Sequence, residues 1–310
     1  MTNRFGDPTL ASRMRENLAL PVIAAPMFLV SGPDLVIAAA RAGIIGAIPA
    51  LNQRTTEGFA SWLEQIKHAI AGAAYAVNLI VHDSNRRLEA DLDVTAYHQA
   101  PLIIASIGSP GPVVARVRAY GGRVFSDVAS IRHARRAAEA GVDGLILLCA
   151  GAGGNTGWLN PFAFVAEVRK FWDGPLALAG AISRGSYVHL AEEMGADLAF
   201  VGTPFIAARE SLAPDAYRSM LVESGADDIV LTAEVTGIPA NMLRRSLEKS
   251  GYVPKKSALT RFDLSAEIET LRAWRDIWSA GHGVGDVTAI ENLADIVARF
   301  STDYHQARLR

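Results

Sequence analysis

The sequence predicts a (β/α)8 barrel, also called a TIM barrel, on three observations. Eight short apolar runs recur along the first two thirds of the chain, stretches of helical periodicity lie between them, and the first strand-to-helix turn lacks a dinucleotide-binding glycine fingerprint. The runs occupy residues 22–25, 45–48, 75–79, 102–106, 123–126, 144–148, 176–179 and 198–201. Their spacing of roughly 20 to 30 residues suits one strand, one helix and two loops. Being apolar throughout rather than alternating, they are expected of parallel strands covered on both faces.

Each element has a local reason. Residues 33–43, 111–122, 130–141 and 186–196 space their apolar positions at helical intervals and stop at Ala-Gly, Gly-Gly or Gly-Ala. The first turn reads APMFLVSGPD and contains no GxGxxG, which disfavours an open doubly wound sheet. After residue 212 the pattern changes. Residues 214–230, 236–256 and 265–286 read as helices without intervening strands, and 291–300 reads as a last helix returning to the barrel wall. We therefore expect a barrel formed by 1–210 and 283–310, and a helical lid at 211–282 inserted after the eighth strand, near the barrel mouth.

Composition narrows the function classes. The chain has 310 residues, 50% of them hydrophobic, and Lys+Arg 30 against Asp+Glu 32 leave a net charge of −2. Such a balance gives no electrostatic footprint for nucleic acid, and the apolar content excludes a disordered chain. Cys149 is the only cysteine, so a disulfide framework and a thiolate zinc site are both excluded, and a reducing cytoplasm is the expected compartment. The first residues lack an apolar stretch with a following cleavage signal, and no window reaches about 18 unbroken apolar residues, so no signal peptide or membrane span is expected. The expected partners are a small-molecule substrate and further copies of the chain in a homo-oligomer. No resident metal is expected.

The richest loop follows the sixth run: CAGAGGNTGWLNPF at 149–162. Its glycines at 151, 153, 154 and 157 let the backbone approach a flat ligand, and Asn160-Pro161 reads as an N-cap with proline in the first helical position. AGAIS at 179–183 and VGTPF at 201–205 place glycines after strands seven and eight, leading into helix N-termini, where backbone N–H groups and a favourable helix dipole suit a phosphate dianion.

These motifs, together with APM at 25–27, AVNLIV at 76–81, SDVAS at 126–130, ARES at 208–211, VTGIPANMLR at 235–244 and WSAGHGVGDV at 278–287, give a resemblance over nearly the whole chain. In order and spacing it resembles the nitronate monooxygenase (2-nitropropane dioxygenase) family of FMN-dependent barrels, which also takes in flavin-dependent enoyl reductases and NAD(P)H:quinone reductases. The resemblance implies FMN as cofactor, with NAD(P)H as a candidate reductant. It implies that Ala25, Pro26 and Met27 line the flavin and that Asn78 hydrogen-bonds it. Gly180, Ala181, Gly202 and Thr203 would hold the phosphate, with Gly153, Gly154 and Asp127 also beside the cofactor.

Two positions depart from the family pattern. Where relatives usually read GGHxG, with the histidine taking the substrate α-proton, this chain reads GGNTG, and the carboxamide of Asn155 has no accessible basic form. Where many relatives carry a lysine at the end of strand five, this chain has Asp127. Asn155 is expected over the flavin as a hydrogen-bonding group. His82, just beyond strand three, and His282, in the lid, are the candidate acids or bases, whereas His68, His98, His133 and His189 read as surface residues and Cys149 as an inert buried thiol. The resulting expectation is an oxidation of alkyl nitronates by O₂ through the flavin. Its rivals are an NAD(P)H-dependent reductase of an enoyl, quinone or CoA-thioester substrate, and a non-catalytic flavin-binding barrel.

Overall fold

The computed structural model describes residues 4–252 and 272–310. Eight parallel strands close a barrel: β1 (Val22–Ala24), β2 (Ile45–Pro49), β3 (Tyr75–Ile80), β4 (Leu102–Ser106), β5 (Arg123–Val128), β6 (Gly144–Leu148), β8 (Leu176–Ala179) and β9 (Leu198–Val201). The ring shuts by pairing β9 onto β1, with Val22 opposite Ala199 and Ala24 opposite Val201. The expected (β/α)8 architecture is what is found.

The barrel interior shows why these runs are strands. Ile23, Ile45, Ala47, Ala76, Leu102, Ile104, Phe125, Ile146, Ala177 and Leu198 form one buried cluster, large and small residues interleaving across the axis. Phe125 sets the tightest constraint: a Cβ on Gly144 of the neighbouring strand would lie 2.3 Å from its ring, so only glycine fits there. Met14 and Leu18, in and just after helix α1 (Leu10–Arg15), pack against this cluster. The outward residues of the strands bury against the helices, among them Phe59, Leu63 and Ile66 of α3 (Thr56–Ile70). Each such side chain contributes about 1.5–3 kcal/mol by leaving water.

Helix ends follow the local chemistry. Thr55 caps α3 by accepting from the Gly58 N–H at 3.0 Å, and Ser130 caps α6 (Ile131–Glu139) by accepting from His133 N–H at 3.2 Å. Asn160 caps α7 (Pro161–Arg169) by accepting from Phe162 N–H at 3.0 Å, with Pro161 in the first turn as the sequence predicts. Leu293–Arg308 packs on Gly185–Glu193, where a Cβ on Gly185 would fall 1.8 Å from the Phe300 carbonyl and Asp303 accepts from Ser186 N–H and Oγ–H.

The segment after the barrel differs from the expectation of helices alone. It contains helices at Asp215–Val222, Arg244–Lys249 and Arg272–Arg275, but also strands β10 (Ile229–Thr232) and β11 (Ala240–Leu243). These two pair with each other and with β7 (Gly154–Asn155), which belongs to the glycine-rich loop, as a three-stranded antiparallel sheet. Four-residue runs such as IVLT and ANML are too short for a periodicity that separates strand from helix, and Gly237 and Pro239 between them break a helix. Residues 253–271 of the expected lid lie outside the described residues. A second buried cluster, including Val30, Ile206, Tyr217, Leu221, Leu243, Ala280 and Val284, joins this segment to the barrel mouth. Among the described residues no helix is long and apolar enough to cross a membrane.

Candidate active site

The loops at the C-terminal ends of the strands enclose a cavity of about 800 Å³, within the range of cofactor and substrate sites. Its first wall is the turn after β1, where Ala25, Pro26 and Met27 line the cavity. Asn52, absent from the sequence-based candidates, holds that turn. Its Nδ2 donates to the Met27 carbonyl at 3.0 Å and the Ser31 carbonyl at 2.7 Å, and its Oδ1 accepts from Leu29 N–H at 2.8 Å. Leu29 sits at φ 58°, a left-handed conformation that these three bonds keep in place.

The floor is a polar chain across three strands. Asn78 is buried and its Nδ2 donates to the Ile104 carbonyl at 3.0 Å and to Ser106 Oγ at 2.7 Å. Ser106 in turn donates to Asp127 Oδ2 at 2.6 Å. The amide N–H groups of Asn78 are therefore taken by the protein, and a bond from them to a flavin is not what this geometry offers; only its Oδ1 is left to accept. Asp127 lines the cavity, and burial pushes its carboxyl up to about 6 against the opposing pull of the Ser106 hydroxyl and the Ile107 N–H.

The glycine-rich loop forms the third wall. A Cβ on Gly157 would sit 2.2 Å from the Leu148 carbonyl, so the loop can fold back on β6 only through glycine. Thr156 Oγ donates to the Cys149 carbonyl at 2.9 Å. Asn155 reaches the cavity from β7, and its buried Oδ1 has no hydrogen-bond partner among the described residues. An orphaned buried acceptor costs about 1–3 kcal/mol unless a ligand satisfies it. Cys149 is fully buried, as expected, and burial pushes its thiol up to about 12, which disfavours the thiolate.

Gly180, Ala181, Gly202 and Thr203 line the opposite end, with Gly153 and Gly154. Gly180 has φ 142° and Ala181 φ 54°, so the turn after β8 is held open in a conformation a non-glycine residue rarely adopts. A Cβ on Gly202 would meet nothing closer than Met27 Sδ at 3.7 Å and Ala25 Cβ at 3.8 Å. Expectation and structure differ on how anions would be bound here. The helix after β9 (Thr203–Ile206) has four residues and the helix after β8 starts only at Gly185, so backbone N–H groups rather than long helix dipoles are the donors. Thr203 Oγ accepts from Gly281 N–H at 2.9 Å, which ties this end to the returning chain. Gly281 and Gly283 line the cavity and were not among the sequence-based candidates, although the GHGVG spacing carried the signal.

The histidines separate. His82 is half-buried and lines the cavity; its Nδ1 accepts from Ser84 N–H at 3.2 Å and lies 2.8 Å from Ser84 Oγ. With Nδ1 accepting, the neutral ring carries its proton on Nε2. His282 is exposed and is absent from the cavity lining. Its backbone N–H donates to the Gly151 carbonyl at 2.9 Å and its ring packs beside Gly151, so it stands next to the glycine-rich loop without lining the cavity. His133, expected at the surface, is exposed yet lines the cavity with Arg136, and its pKa is lowered by burial and by Arg132 and Arg136. His98, also expected at the surface, is buried. Among the described residues no cluster of three or more His, Cys, Asp or Glu could hold a metal.

Comparisons with known proteins bear on this site. The profile of the nitronate monooxygenase family matches residues 52–276. A Rhodococcus jostii (3aS,4S,5R,7aS)-5-hydroxy-7a-methyl-1-oxo-octahydro-1H-indene-4-carboxyl-CoA dehydrogenase is 26% identical over 265 residues, 84% of this chain and 74% of its own length. Among solved structures, FabK from Thermotoga maritima superposes with a TM-score of 0.83 at 22% identity, covering 97% of each chain. A nitroalkane oxidase from Streptomyces ansochromogenes superposes with a TM-score of 0.80 at 25% identity, covering 96% of this chain and 99% of the other. Coverage of the curated relatives is uneven: this chain spans 44% of the length of a Mycobacterium tuberculosis protein described as a monooxygenase, 31% identical over 166 residues.

Proposed function

Because this chain belongs to the nitronate monooxygenase family, we propose that it is an FMN-dependent oxidoreductase that oxidises alkyl nitronates with dioxygen as the final electron acceptor. The observation that carries the reading is Asn155, whose carboxamide lines the cavity from the glycine-rich loop: its Nδ2 is the group that can donate to nitro oxygens, while its buried Oδ1, unpaired among the described residues, is left to accept from a ligand N–H. A side chain that hydrogen-bonds without titrating suits a substrate that has already lost its α-proton.

The residues present fit FMN. Gly180, Ala181, Gly202 and Thr203 would take its phosphate through backbone N–H groups and a hydroxyl, and the clamped turn Ala25–Pro26–Met27 would pack on its ring, with Gly153 and Gly154 giving close backbone approach. When bound, FMN supplies the two-electron acceptor and its chemistry with dioxygen. The remaining work falls to the chain. The Asn155 Nδ2 donates to the nitro oxygens, His82 stands on the cavity wall beside the substrate, and β7 with Trp274 and Tyr217 restricts access of water. Oxygen uptake with ethyl nitronate tests the reading. Turnover that depends on FMN loading supports it, and its absence in the FMN-loaded protein overturns it.

A second reading is favoured by Arg136 and His133 on the cavity wall. Arg136 makes no ion pair among the described residues, and its guanidinium beside a neutral His133 suits a phosphorylated substrate or reductant, such as a CoA thioester or NAD(P)H. Anaerobic mixing with NADH and NADPH separates the two: rapid bleaching of the flavin by either favours this alternative.

A further inference from the structure

We propose that Asp127 is the proton acceptor of this site, so that the protein also handles neutral carbon acids, nitroalkanes being the class probed here. Loss of a basic group at Asn155 then removes the base from one loop while a carboxylate on the barrel floor provides another. Three observations carry this. Asp127 is the one carboxylate among the described residues lining the cavity. Its position is fixed rather than adaptable, because Ser106 donates to Oδ2 at 2.6 Å while Ser106 itself is held by Asn78 Nδ2 at 2.7 Å. The other ionisable groups on the described cavity wall are poorly suited to accept a proton: the Nδ1 of His82 is occupied by Ser84, Arg136 has no basic form, Tyr217 is neutral and donates to the Ser279 carbonyl, and His133 is exposed beside two arginines.

The groups around the carboxylate set its titration. On the β4 side the Ser106 hydroxyl and Ile107 N–H stabilise the anion, on β6 its register partner is the apolar Ile146, and His82, His133 and Arg136 line the same cavity. Burial outweighs the two hydrogen bonds, and a carboxyl poised near 6 is ionised at neutral pH yet basic enough to take a carbon-bound proton. In the step itself the α C–H bond of the nitroalkane breaks, its electron pair moves into the nitro group to give the nitronate, and the proton passes to an Asp127 oxygen. No oxidant or reductant takes part. This step rests on the nitronate reading only for the fate of its product.

The test separates proton transfer from oxidation. Exchange of the α-hydrogens of nitroethane with D₂O is followed by proton NMR with the anaerobic FMN-loaded protein. The wild type should accelerate exchange, with an acidic limb near pH 6, and D127N should lower that rate by about 100-fold or more, the usual effect of losing a general base. Ser106→Ala removes a donor to the anion, so its limb should move to higher pH; this variant carries the test if D127N fails to fold. Infrared titration supplies a second readout, a protonated-carboxyl band that appears near pH 6 in the wild type and is missing in D127N. No acceleration by the wild type, an unchanged rate in D127N, or an unmoved limb in Ser106→Ala overturns the proposal. Exchange without any oxidation of ethyl nitronate would leave Asp127 as the base and remove the nitronate reading instead.

Discussion

His82 enters the cavity with its proton inventory already arranged, because Ser84 N–H donates to Nδ1 and leaves Nε2 as the protonated nitrogen of the neutral ring. Its place on the cavity wall beside the substrate has a measurable signature. His82→Ala should keep FMN bound and lower turnover by about 10², whereas His82→Gln, which retains an N–H at similar reach, should recover part of the loss. Equal rates for the two variants would reduce His82 to a loop residue. Asp127 makes a separate prediction through stability. Its folded pKa of about 6 lies above the usual carboxylate value near 3.8, so the folded state holds the proton more tightly. The sign is therefore that stability is fully present below the unfolded value and falls as pH rises through about 6. In urea titrations of the flavin-free protein, D127N should gain on the wild type between pH 4 and 7, and a constant difference across that window would contradict the burial of the charge. Asn155 and Asp127 were both legible as departures from a motif. The Ser106 link between Asn78 and Asp127 was not, because a serine at a strand end gives no signal until the strand register brings it beside a carboxylate.

Among the elements, the chain at 279–283 does most to close the site, since Gly281 N–H donates to Thr203 and His282 N–H to Gly151. A Cβ on Gly281 would lie 2.6 Å from the Gly151 carbonyl, so Gly281→Ala must push this segment away from the glycine-rich loop. We expect a cost of about 1–3 kcal/mol and weaker FMN retention. Thermal melting and flavin content check both, and an unaffected variant would show that the two segments are free to separate. Gly202→Asp acts differently. It has room for the side chain but places a carboxylate where an anion is expected, so the folded protein should emerge without flavin. At this scale the barrel strands were legible from their uniform apolarity, β4, β6, β8 and β9 with the same bounds as the apolar runs. The sheet of β7, β10 and β11 was not, because a two-residue strand in a glycine loop and two four-residue runs acquire their conformation only by pairing with each other.

For the whole molecule, the strands, loops and returning chain converge on a large cavity, and a ligand filling it couples to the stability of the fold. Free FMN at about 100 times its Kd should stabilise the protein by about 2.7 kcal/mol and raise Tm by several degrees, with no rise for Gly202→Asp. An equal rise in both would place the flavin elsewhere. The measurement that bears most directly on an FMN oxidoreductase built from this barrel is the visible spectrum of the purified protein, followed by the mass and stoichiometry of the cofactor released by heat. A yellow protein that releases FMN at one per chain is the predicted result; a protein that releases FAD, or that stays colourless and takes up no FMN, would contradict it.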